Sequence, residues 1–345
     1  MRAFIAIFLV SLAATAVGTP QIRRLALNLG FVDAPEGRKT QEWPIPLLGG
    51  LAIIGGMLLA LFLAFFLIYG RIPSPVAGVL LASGLVAAVG LIDDRLQLPA
   101  GVKLAGQICG SLILIYFGIH VQLPLPTFVN YGITIIWLVG ISNAINFLDN
   151  MDGLSVGISA VAASFILLLA TFEGQFLVAA LAAALLGASV GFLRYNFYPA
   201  TIYMGDAGSL FLGFMLAVLA MQLRFPLNSN FVTWMVPIFI LGLPIFDMVL
   251  VVTSRLRRGV SPNTPGHDHI SHRLVNRGFT KRESVLILYL FAGILGMVAV
   301  FITQATIQEG YFIGLVTVVL GVIAIWRLER DGLEERPKSN GNPSV

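Results

Sequence analysis

"GLIDDRLQLPAGVK" (residues 90–103) closes one long apolar run and opens another, yet it sets Asp93 and Asp94 side by side, with Arg95 and Lys103 just beyond. Ionisable groups at membrane depth cost about 2.5–3.5 kcal/mol or more and usually mark functional sites. A hydrophobic helix that ends in two carboxylates therefore ends in water, or in a cleft that needs charge. The runs on either side decide what surrounds it. The 345-residue chain is 57% hydrophobic and 11% charged, where a soluble domain carries roughly 25% charged residues. That composition predicts an all-α, polytopic membrane bundle forming a single membrane-embedded domain over 1–345, with a polar, flexible tail at 328–345.

Apolar segments of roughly 17 to 25 residues, the length that crosses a bilayer, fall near 3–21, 45–69, 75–92, 102–119, 131–147, 154–172, 176–193, 208–224, 232–253, 284–304 and 310–327. Eleven spans are expected, with ten as the alternative because the fifth runs into Asn143, Asn146 and Asp149. The first is read as a span rather than a cleaved signal peptide. Gly49-Gly50 and Gly55-Gly56 suit close helix approach in lipid. Cys109, the only cysteine, lies in an apolar run, so no disulfide framework or CxxC metal site is expected.

Charge sets the orientation. Of the 21 Lys and Arg, 18 fall in loops after odd-numbered spans or in the C-terminal tail; Arg2, Arg71 and Arg224 do not. The positive-inside rule then puts the N-terminus outside and the C-terminus in the cytoplasm. The acids share the bias: only Glu173 and Glu309 fall in outer loops, whereas Asp93, Asp94, Asp149, Asp152, Asp206 and Asp247 lie near cytoplasmic ends. One such Asp would be a hydrated helix end; six are better explained by a convergent cytoplasmic cleft.

In "NAINFLDNMDG" (143–153), Asn146, Asp149 and Asp152 recur at the spacing of one helical turn. "RYNFYPATIYMGDAGS" (194–209) places Asp206 between Gly205 and Gly208 just before an apolar helix, whose N-terminus offers N–H groups to an anion. Clustered Asp and Asn oxygens suit magnesium held together with substrate phosphates. Lys103, Arg255, Arg257, Arg258 and Arg273 would supply positive charge for those phosphates. The loop over 254–283 carries His267, His269 and His272 in "PGHDHISHR". It reads as a phosphate-binding loop over the cleft, against two rivals: a zinc site and a solvated basic loop that only sets topology.

The order "DD", "NAINFLDNMDGL", "YNFYPATIYMGDAGS" and a His-rich basic loop, preceded by "VDAPEGRKTQEWPIPLLGG" (32–50), resembles the polyprenyl-phosphate N-acetylhexosamine-1-phosphate transferases of glycosyltransferase family 4. The resemblance runs from about residue 20 to 327, with Gln41 where a His is usual. It implies transfer of a sugar 1-phosphate from a UDP-amino sugar to a polyprenyl phosphate lipid carrier, with release of UMP. It also implies magnesium (manganese as the alternative ion), a cytoplasmic active site in the bacterial plasma membrane and no nucleic-acid partner; a homodimer is compatible with it.

Residue by residue, the resemblance makes Asp206 and Asn146 metal ligands and Asp93, Asp94 and Asp206 catalytic, with Asp93 a base for the lipid phosphate. It gives Lys103 a phosphate, Asp152 the uracil and Asn196 the nucleoside. Asp149 joins the substrate-binding set, and His269, His272 and Arg273 grip the pyrophosphate and sugar. "HISH" (269–272) is similar to the HxHH loop of the branch using UDP-N-acetylglucosamine, with Ser271 at the third position. The branch that transfers N-acetylmuramoyl-pentapeptide phosphate, the alternative, has a triple His followed by Glu. A cation-coupled transporter, the rival from another class, would hold its acids near the midplane on broken helices and often shows internal repeats; no strong repeat is seen here.

Overall fold

The computed structural model describes residues 1–33, 44–262, 264 and 266–334. Of the "VDAPEGRKTQEWPIPLLGG" motif, 34–43, including Arg38, Lys39 and Gln41, lie outside the described residues, as does the tail from 335.

Every apolar segment read from the sequence is helical over most of its length. The helices are α1 (Arg2–Leu29), α2 (Gly49–Tyr69), α3 (Ser74–Leu96), α4 (Ala100–Tyr116), α5 (Thr127–Leu148), α6 (Leu154–Phe172), α7 (Phe176–Asn196) and α8 (Gly205–Gln222). After them come short α9 (Asn230–Thr233) and α10 (Val236–Ile240), then α11 (Gly242–Arg257), α12 (Ile270–Asn276), α13 (Lys281–Ile302) and α14 (Ile307–Glu334). Between α1 and α2, β1 (Val32–Asp33) pairs antiparallel with β2 (Ile45–Pro46). Among the described residues nine helices are long and apolar enough to cross a membrane. A tenth forms if the bent pair Asn230–Ile240 and Gly242–Arg257 is one span. The protein is an all-α polytopic membrane bundle.

Two elements depart from expectation. The segment at 232–253 is broken at Leu241, with a 71° bend between its halves. Pro244 explains the break, since it has no N–H to offer the carbonyl of Ile240 and its ring crowds that carbonyl. The polar tail expected from 328 begins instead as helix, because α14 continues to Glu334.

α8 is the core: from Ala207 to Met221 every residue is buried, as expected of a helix apolar on all sides. It packs against α2, α3, α5 and α6. Contact with α2 is backbone to backbone, because a Cβ at Gly50 would strike Gly208, while Gly56 admits the Thr15 side chain of α1. Gly55, by contrast, faces open space.

The connections sort into two ends. At one, Tyr203 N–H donates to Pro46 O (2.8 Å), Gly49 N–H to Tyr203 O (2.9 Å) and Arg23 Nε to Thr201 O (3.1 Å). The polar motifs gather at this end. At the other, Gln175 Nε2 donates to Arg224 O (2.6 Å) and Asn228 Nδ2 to the carbonyls of Thr303 and Ala305 (both 3.0 Å).

Candidate active site

The opening stretch builds half of the site. α3 ends in a tight turn: Gln97 takes a left-handed backbone (φ 49°) and donates its N–H to Asp93 O (2.9 Å). Leu98 N–H donates to Asp93 Oδ1 (2.6 Å). Pro99 starts α4, and Lys103, one turn in, returns to Asp93 Oδ2 (2.8 Å). The same Nζ lies 3.0 Å from Asp206 Oδ2 on α8, so one ammonium bridges two carboxylates 113 positions apart in sequence. Side-chain exposures of 26% for Lys103, 10% for Asp93 and 29% for Asp206 leave this bridge open to a ligand.

Asp94 takes a different direction. Its carboxylate accepts the N–H groups of Asp206 (2.7 Å) and Ala207 (3.2 Å), so it caps α8. The amides that the sequence appeared to offer a ligand anion are held by this side chain. The cap is why residue 205 is glycine: a Cβ there, at φ 69°, would press on the Asp94 carboxylate.

From α5, Asn146 Nδ2 donates to Asp206 Oδ1 (2.9 Å) and to Ser209 Oγ (2.8 Å). Asp149 follows at the end of α5. Burial chiefly, and then the charges of Asp206, Asp94 and Asp152, push its carboxyl up to about 8. Asp152 accepts Ala200 N–H (2.9 Å) and hydrogen-bonds Tyr203, whose hydroxyl is pushed up mainly by burial. Asn196 is buried; its Oδ1 accepts Gly153 N–H (3.1 Å) and its Nδ2 donates to Ile202 O (3.0 Å), tying two motifs together.

The basic loop arches over this end on several anchors. Asp268 accepts from Arg255 Nε (3.2 Å) and Arg258 Nη2 (2.5 Å), which together hold its carboxyl below the usual range despite burial. Arg273 donates to Asp268 O (2.9 Å), Leu328 O (2.5 Å), Ser254 Oγ (3.2 Å) and Glu329 Oε1 (2.6 Å), fastening the loop to α14. Of the loop arginines expected to face phosphate, these three are engaged within the protein. Ser271, fully buried, donates to Asn150 Oδ1 (2.6 Å) in the "NMDG" turn. His269 Nδ1 lies 2.7 Å from Asp247 Oδ2. His272 stacks edge-on against His267 at 4.6 Å between ring centroids. Burial first, then His267 and His269, push His272 down to about 4.

Sequence reasoning counted Asp247 among the acids but found it no partner, and it passed over Asn150, Ser209, Asp268 and Glu329. Each pairs with a residue 22 to 121 positions away, except Asp268, whose arginines precede it in the same loop.

Asp206 and Asn146 fit a hard cation, since one carboxylate and one amide on adjacent helices match magnesium's habit of taking few protein ligands. Turning the Asn146 amide by 180°, an assignment set by the hydrogen-bond network, would direct its oxygen to the same side. The Lys103 ammonium already lies between Asp93 and Asp206, where positive charge is favoured. The loop histidines do not make a zinc centre: among the described residues no group of three or more His, Cys, Asp or Glu could hold a metal ion.

Residues 76–224 match the family model described as "Glycosyl transferase family 4". Over 321 residues the chain is 33% identical to a "probable undecaprenyl-phosphate N-acetylglucosaminyl 1-phosphate transferase" of Bacillus subtilis (strain 168), covering 90% of this chain and 88% of that protein. It is 32% identical to a decaprenyl-phosphate N-acetylglucosaminephosphotransferase of Mycolicibacterium smegmatis, covering 93% and 88%. To the undecaprenyl-phosphate alpha-N-acetylglucosaminyl 1-phosphate transferase of Escherichia coli (strain K12) it is 28% identical, covering 81% and 78%. With "DD", "NAINFLDNMDG" and "MGDAGS" meeting at one end of an apolar bundle, and with relatives alike over nearly their full length, this chain belongs to glycosyl transferase family 4.

Proposed function

We propose that the protein transfers N-acetylglucosamine 1-phosphate from its UDP-sugar to a polyprenyl phosphate such as undecaprenyl phosphate, releasing UMP. The Lys103 bridge between Asp93 and Asp206 carries the reading, because it concentrates charge where apolar helices end. An acceptor with an isoprenoid tail and a donor that stays in water can meet only at such a junction. The relatives' names favour N-acetylglucosamine over the muramoyl-pentapeptide alternative. An eleven-span reading, counting α4 and the bent pair, with the N-terminus outside by the positive-inside rule, supports a cytoplasmic location of this end in the bacterial plasma membrane.

An oxygen of the lipid phosphate attacks the sugar-bearing phosphorus of the donor, the phosphoanhydride bond breaks, and UMP leaves in line. Lys103 draws the phosphates together, while Asp93 holds Lys103 and accepts the proton of a monoprotonated acceptor. Asp94 secures the start of α8, and with it Asp206. Asp206 and Asn146 would hold magnesium, which neutralises charge on the pyrophosphate when bound. Asp149 and Asp152 face the donor; Asn196 serves the nucleoside through the backbone it braces. His269 and His272 cover the pyrophosphate and sugar on a loop that Arg273 fastens.

The test uses membranes from cells expressing the chain, undecaprenyl phosphate, and UDP-N-acetylglucosamine or UDP-N-acetylmuramoyl-pentapeptide labelled in the sugar. Label should pass into the lipid phase only from the first donor, with UMP released. Label from the second donor alone would overturn the choice of sugar.

A further inference from the structure

Asp247 is fully buried on α11, and no step above uses it. A buried carboxylate is costly unless its oxygens are satisfied, and both are. Oδ2 lies 2.7 Å from His269 Nδ1, and Oδ1 accepts the N–H of Ile270 (2.8 Å). A carboxylate can only accept, so Nδ1 carries the proton between them, and Nε2 is the end of the ring left for another partner. Other contacts dock the loop as well. Asp268 with Arg255 and Arg258, Ser271 with Asn150, and Arg273 with Glu329 already hold it. A buried carboxylate–imidazole pair added to three other anchors is better explained by what it does to the imidazole.

We propose that Asp247 is a positioning residue for the transfer reaction: through the Nδ1 contact it fixes the tautomer and place of His269, so that Nε2 meets the pyrophosphate and sugar of the donor. This rests on the reading of His269 as a donor contact. Partners of this kind, one step behind a working histidine, typically change activity 10–100-fold when removed.

Purified protein in detergent, assayed with UDP-N-acetylglucosamine and undecaprenyl phosphate, tests it by a double-mutant cycle. Asp247→Asn should lower kcat/KM for the donor by about 10–100-fold. In a His269→Ala background the same change should cost less than about 2-fold, because residues that act through one another are not additive. An equal loss in both backgrounds, or none in either, overturns the positioning role. If His269→Ala alone keeps the parent kcat/KM, the donor-contact reading falls first and the positioning role falls with it. The wild-type protein supplies a check that needs no folded Asp247 variant. The 15N spectrum of labelled histidine, with the His269 signals assigned by their loss in His269→Ala, should show a protonated Nδ1. A neutral ring protonated at Nε2 alone overturns the proposal.

Discussion

Asp206 is the residue on which three others converge: Lys103 and Asn146 meet its oxygens, and Asp94 holds its amide. Asp206→Asn keeps the shape and removes the charge. It should abolish turnover, by 100-fold or more in kcat at about 2.7 kcal/mol of lost transition-state stabilisation, while the protein still purifies as a folded species. Unchanged activity at low magnesium would remove Asp206 from the mechanism. His272 gives a prediction in pH. Its folded value of about 4 lies below the ordinary 6.5, so the unfolded chain binds the proton more readily. Stability from keeping this ring neutral is present above pH 6.5, falls as pH drops towards 4, and is flat below. Thermal melts of wild type should lose more between pH 6.5 and 4 than those of His272→Gln; equal slopes would refute the assignment. The identities of these residues were readable in the sequence, since Asp206, Asn146 and Lys103 stood in recognisable motifs. Their directions were not: nothing in "DD" says that Asp93 turns to a lysine and Asp94 to a helix end.

Between elements, polar contacts rather than apolar area specify how the loop meets the bundle. α8 and the 310–326 stretch of α14 are both apolar on all sides, yet α8 is the buried core, while α14 leaves Leu315, Val318, Leu320 and Val322 exposed. Composition alone cannot separate a helix covered by protein from one facing lipid, because lipid tails are as apolar as leucine. What singles out the end of α14 is Glu329, buried against Arg273 on the loop. Removing one partner of such a pair strands the other, at about 3–5 kcal/mol. Glu329→Ala should therefore expose the segment around Arg257 to protease sooner and lower the melting temperature. Arg273→Lys should rescue little, since an ammonium cannot reach Leu328 O, Ser254 and Glu329 with one fork. Protease resistance equal to wild type in Glu329→Ala would show that the loop is held without α14. The bend at Leu241 was overlooked for a related reason: an unbroken apolar run hides a break that Pro244 imposes.

Across the whole molecule, the all-helical, many-span architecture and the gathering of the polar motifs at one end were legible because hydropathy and charge vary on the scale of whole spans. The count was not: the sequence predicts eleven spans, whereas nine helices among the described residues, ten with the bent pair as one, are long and apolar enough to cross. Residues 90–103, 143–153, 194–209 and 254–282 are far apart in sequence, yet hydrogen bonds join them directly or in sequence at one end of the bundle. A bilayer makes that arrangement testable without any assay of activity, since segments that share an end must share a side. Cysteines introduced at Arg95, Thr201 and His267, in a background with Cys109 replaced by Ala, should react with a membrane-impermeant maleimide only from the cytoplasmic face. One at Glu173, at the end marked by Gln175 and Arg224, should react only from outside. The expected orientation rests on the basic residues, 18 of 21 of which lie on the same side in the eleven-span reading. If all four positions exchange faces, the bundle stands but the positive-inside orientation falls. If Arg95 and Thr201 label from opposite faces, the helices joined through Asp94 and Asp206 cannot end together, and the single-cleft architecture fails with them.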